Sequence, residues 1–84
     1  MTSVVSQTLP IELMGAGEHG NVVDVYGPSD LIVRLEELGL HEGTRIRMIR
    51  PGSPCIIEIN HQRFSLRFDD SVSVLVSIHL SIHQ

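Results

Sequence analysis

The sequence has no lysine, no tryptophan, one cysteine and only three aromatic residues, Tyr26, Phe64 and Phe68, among its 84 residues. Each shortage removes something. With so few aromatics, the core must come from Val, Ile and Leu, which suits strands more than helices. The lone Cys55 excludes an internal disulfide and fits a reducing compartment. No apolar run of about 20 residues exists, so no membrane-spanning helix is expected. Met1 to Thr8 carries neither positive charge nor a hydrophobic stretch, so no signal peptide is expected either. These absences point to a soluble, cytoplasmic protein. A chain of this length forms one domain and buries only about 60–65% of its unfolded surface, leaving little room for an elaborate active site.

Charge is present but unevenly placed. The net charge is −4. Residues 1–44 hold seven acids against Arg34, and residues 45–67 hold Arg45, Arg47, Arg50, Arg63 and Arg67 against Glu58. All positive charge is therefore arginine, whose planar guanidinium suits carboxylate or phosphate partners.

Periodicity gives a coarse reading. Leu9 to Met14 suggests a short helical turn or an irregular entry. Gly20 to Tyr26 reads as a strand, with Val23 and Val25 on one side and Val22, Asp24 and Tyr26 on the other. Ser29 or Asp30 is placed to cap a helix over Leu31–Leu38. Leu31, Leu35 and Leu38 share one face of that helix and are expected to pack on the sheet. Gly39 closes it in a left-handed conformation, Leu40 folds back, and Gly43 turns the chain into a second strand, Thr44–Arg50. There Ile46 and Met48 alternate with Arg45 and Arg47. After the Pro51–Pro54 loop, Cys55–Asn60 and Arg63–Phe68 read as a hairpin, with Phe64, Leu66 and Phe68 on one face. Asp69-Asp70-Ser71 breaks the chain again. From Val72 to Ile82 every second residue is apolar, the cleanest strand signal present.

The run Leu38-Gly39-Leu40 followed by Gly43 resembles the signature of the FeoA family, small cytoplasmic accessory proteins of bacterial ferrous iron transport. Leu9, Leu13, Gly17 and Gly20 before Val22 and Val23 are similar to that family's opening pattern. Ile59 to Leu66 with Val72, Val74 and Val76 resembles its closing hairpin. Metal-dependent repressors carry a similar module behind a DNA-binding helix-turn-helix, for which no pattern is seen here. The expected fold is all-β, a small SH3-like barrel of about five strands with one short α-helix between the first two long strands. The expected organisation is a flexible segment at 1–8, the barrel at 9–78 and a tail at 79–84. The resemblance implies a non-enzymatic helper that docks on a FeoB-type permease with a cytosolic GTPase domain and reaches the membrane only through it.

Other motifs weigh less. Gly15-Ala16-Gly17-Glu18-His19-Gly20 matches a dinucleotide-binding pattern by letter, yet a strand rather than a helix follows it. His79 and His83, four apart on a strand, stand about 13 Å apart and cannot share an ion. Glu18 with His19, and His41 with Glu42, are the candidates for a peripheral Fe²⁺ or Zn²⁺, or for a metal bridge in a weak homodimer. No cofactor is otherwise required. Cys55, alternating with Ile57 and Ile59, reads as a buried thiol. The candidate partner surface comprises Arg34, Glu37, Leu40, His41, Glu42, Arg45 and Arg47, and Arg63 and Arg67 are expected to join Arg45 and Arg47 in one basic patch. The alternatives are a metal-responsive switch, resting on the loop histidines, and a nucleic-acid-binding barrel. The acidic total and the shortage of stacking aromatics count against nucleic acid.

Overall fold

Six strands, one short 3₁₀ turn and one helix follow one another in a computed structural model that describes residues 2–68 and 71–83. In chain order they are β1 (Thr2–Pro10), the turn Ile11–Leu13, β2 (His19–Tyr26), α1 (Ser29–Glu37), β3 (Arg45–Arg50), β4 (Cys55–Ile59), β5 (Gln62–Leu66) and β6 (Ser73–His83). All neighbouring strands are antiparallel in a single sheet of order β1-β6-β2-β3-β4-β5. The sheet bends around one core in the SH3-like manner, with the helix inserted between β2 and β3. It holds six strands rather than about five. The ends of the order, β1 and β5, are not hydrogen bonded to each other, so the barrel is open.

Alternation decides what faces inward. Ile46 and Met48 of β3, Cys55, Ile57 and Ile59 of β4, and Val74, Val76 and Ile78 of β6 are buried. Ile11, Met14, Val22 and Leu40 complete the core, and no polar or charged side chain is buried among the described residues. Phe64, Leu66 and Phe68 pack against its edge. The connection of β4 to β5 is a two-residue turn, with Ile59 opposite Gln62 and both Asn60 and His61 at positive φ. Such a turn matches the natural twist of paired strands.

Several expectations change. Of the segments read as a flexible 1–8 and a tail 79–84, residues 2–8 and 79–83 form instead parts of the paired strands β1 and β6, in register from Thr2 opposite His83 to Pro10 opposite Leu75. The partner strand, distant in sequence, supplies the hydrogen bonds that local pattern did not announce. In β2, Val22 is buried and Val25 packs against the core while Val23 is exposed, so Val23 and Val25 do not share a side as expected. The register passes from Val22 opposite Val76 to Asp24 opposite Leu75, so Val23 is an extra bulged residue that shifts the alternation. The break at Asp69-Asp70-Ser71 falls mainly outside the described residues, as do the side chains of Leu80 and Ile82.

Helix α1 also differs. Pro28 is its N-cap, and its carbonyl accepts from the N–H of Leu31 and Ile32, so Ser29 and Asp30 lie inside the first turn rather than capping it. No helical residue is fully buried. Leu35 packs on the core, but Leu38 is 39% exposed, whereas Leu40 is completely buried. Gly39, at φ +96°, ends the helix in a Schellman motif. Its N–H donates to Glu36, and that of Leu40 reaches back to Leu35, both at 2.9 Å. Thr44 Oγ1 donates to the Gly39 carbonyl at 2.7 Å and the Gly43 N–H to Val22, which tie the turn to β2 and β3.

Candidate docking face

Because Ile46 and Met48 point inward, Arg45 and Arg47 must point outward, and the same rule places His19 and Glu58 on the outer side of their strands. Strand register then aligns them. His19 lies opposite Arg47, Arg47 opposite Glu58, and Glu58 opposite Arg63, a single row across β2, β3, β4 and β5. Directly opposed residues hold their Cβ atoms roughly 4.5–5.5 Å apart, so neighbours in the row interact. Glu58 is shared by two arginines, with Arg47 Nη1 and Arg63 Nε each 3.9 Å from its carboxylate oxygens. Pairs this long and this exposed stabilise by about 0–1 kcal/mol, so they leave the arginines free to turn toward another partner.

Arg45 sits one rung away, opposite Asn21. It has no carboxylate partner among the described residues. Two clefts flank it. One, of about 330 Å³, is lined by Glu18, His19, Asn21, Arg45 and His79 among others; the second, of about 230 Å³, by His19, Arg45, Arg47, Glu58, Asn60 and His61 with Ile46. His79 of β6 therefore comes to the same cleft as His19, with a ring nitrogen 3.0 Å from Ser6 Oγ. Asn21, His79, Asn60 and His61 were not singled out as partner residues. The meeting of His79 with His19 and Asn21 depends on β6 lying beside β2, which no local pattern reveals.

The remaining predicted residues separate into other places. Leu40 lies in the core and cannot meet a partner. Arg34 and Glu37 are exposed on α1, and His41 and Glu42 are exposed in the following turn, where His41 Nδ1 lies 3.1 Å from the Glu42 carbonyl. Arg67 does not join the patch: it lies past the end of β5 and, with Arg34, lines an apolar groove of about 180 Å³ beside Leu31, Leu35, Leu66 and Phe68. Glu18 and His19 stand at the start of β2, with the Glu18 carboxylate accepting from the Gly15 N–H. Among the described residues no three His, Cys, Asp or Glu side chains gather as a metal site.

The glycine run from Gly15 opens a strand, as its context predicted. Gly17 donates its N–H to Met48 and so ties the run to β3. Cys55 is buried and unpaired, and burial pushes its thiol up from the ordinary range. No helix among the described residues is long and apolar enough to cross a membrane.

Comparison with known proteins agrees with this geometry. A solved structure described as the iron uptake regulatory protein FeoA superposes with a TM-score of 0.77 at 28% identity, covering 88% of this chain and all of that one. No match was found among curated proteins. The FeoA domain itself matches residues 9–78. With β2 to β5, the inserted helix and the Leu38-Gly39-Leu40 turn all inside that span, this chain belongs to the FeoA domain family.

Proposed function

We propose that this chain is a non-enzymatic, cytoplasmic accessory protein of ferrous iron uptake that docks on the cytosolic part of a FeoB-type permease carrying a GTPase domain. The observation that carries the reading is the FeoA domain match over residues 9–78. The structural relative described as an iron uptake regulatory protein supports it. The outward arginines of β3 supply a surface suited to docking. The exposed Arg34, Glu37, His41 and Glu42 at the other end of the α1–β3 connection would border the contact.

Docking acts by preference between states. A rigid β domain that binds one conformation of the permease more tightly shifts it toward that conformation, and by no more than the difference in affinity. No resident cofactor enters this scheme. Among the described residues a ferrous or zinc ion would meet at most two-residue donor sets such as Glu18 with His19 or His41 with Glu42, fewer than the three or four donors of a specific site. Radiolabelled ferrous uptake in cells deleted for the gene, combined with co-purification from detergent extracts, tests the proposal. Reduced uptake restored by the gene, with the permease recovered alongside, is expected. Normal uptake and no recovered permease would overturn it.

A further inference from the structure

We propose that Arg45, with Asn21 and His19 beside it, forms a carboxylate-binding site where the two outer clefts meet, and that its occupant is an extended acidic segment of a partner protein. This rests on the accessory-protein reading only for which protein carries the segment.

Four observations converge. Arg45 lies between the two clefts, lining both, and meets no carboxylate among the described residues. The one acid lining the first cleft, Glu18, is already engaged by the Gly15 N–H. In the second cleft Glu58 is shared by Arg47 and Arg63, so, with Glu18 counted, the three outward guanidiniums of β3 and β5 stand against two carboxylates. The surplus is therefore positive and local, although the whole chain is at −4. A guanidinium offers a planar fork of donors that matches a carboxylate in two parallel hydrogen bonds.

Spacing narrows the occupant. Arg45 and Arg47 stand on one face of β3, two residues and so about 7 Å apart. An extended segment repeats its own side chains on one face at the same interval. Acids at alternate positions would thus meet Arg45 and Arg47 together, one entering beside Asn21 and His19 and the next displacing Arg47 from its 3.9 Å contact with Glu58.

The test is an amide NMR titration of the full chain at low salt with an eight-residue peptide of alternating Glu and Ser. Inorganic phosphate and a peptide of the same composition with its four Glu contiguous serve as controls. Shifts are expected at 17–21 and 45–47, with affinity falling at least tenfold in Arg45→Gln and clearly less in Arg50→Gln, an arginine outside both clefts. The contiguous peptide is expected to bind at least threefold more weakly. Equal affinity in Arg45→Gln overturns the site. Equal binding of the contiguous peptide, or the same shifts with phosphate alone, overturns the extended carboxylate segment. Concentration-dependent self-association abolished by Arg45→Gln, seen by sedimentation, would make a second copy the occupant and overturn the choice made here. Because the readout needs no permease, a failed peptide titration leaves the uptake assay untouched, and a negative uptake assay leaves the peptide result standing.

Discussion

Helix α1 and the turn that follows it divide their labour unequally. The nine residues of the helix bury none of their number completely, whereas the two residues after its C-cap supply a left-handed glycine and a fully buried leucine. A short helix is marginal in water by itself, and here its single firm anchor is Leu35. The turn is held at both ends, by the Schellman hydrogen bonds on one side and by Thr44 and Gly43 on the other. The lesson is that the clasp, rather than the cylinder, fixes the connection between β2 and β3. The arginine-bearing strand inherits its position from that clasp.

The contrast can be broken most decisively at Leu40. Leu40→Ala removes a completely buried side chain and is expected to cost about 3 kcal/mol, a large share of the roughly 4–12 kcal/mol such a chain commands. Chemical denaturation would show it, and a cost below that of the same change at Leu38 would reverse the assignment. Gly39→Ala comes next. Its added Cβ would meet Ile59 Cγ2 at an ordinary 3.5 Å, so the cost of about 1–2 kcal/mol is backbone strain at φ +96°. A change within error in the midpoint would show that the left-handed position is not needed. Leu38→Ser, at the partly exposed end of the helix, is expected to cost about 1 kcal/mol or less. The smallest effect lies at the solvent-open approach to the helix. There the Asp24 carboxylate accepts from the neutral Tyr26 phenol and repels its phenolate, raising its pKa above 10. Ultraviolet titration should place the midpoint above that value and Asp24→Asn should lower it. Because the folded value is raised, the associated stability is complete below pH 10 and is lost as pH climbs through the folded pKa.

How far the sequence could be read depended on whether a strand's partner was near in the chain. Strands β3 and β4 were legible because Ile46, Met48, Ile57 and Ile59 alternate without interruption, and the outward arginines followed at once. Leu38 was misplaced because helical spacing identifies a common face without saying how far that face sinks; Leu40, past the glycine, reaches the interior instead. Val23 was misplaced because one bulged residue inverts the phase of everything beyond it. Strand β1 was missed because its apolar residues do not alternate cleanly and its bonding partner lies some seventy residues away. The same distance hid the meeting of His19 with His79. Arg67 was assigned to the wrong surface because, although it keeps the exposed phase of Arg63, it lies four residues, roughly 13 Å, further along and lines the groove beside α1 instead.

The pairing of β1 with β6 also bears on how the protein is made. Strand β1 is synthesised well before its partner β6, so this edge of the sheet cannot form until β6 has left the ribosome. Closing so long a loop is entropically slow compared with the neighbouring β3–β4 and β4–β5 hairpins. Nascent chains should therefore acquire the middle of the sheet early and its border late, leaving residues 2–10 transiently available to chaperones or to a neighbouring nascent copy.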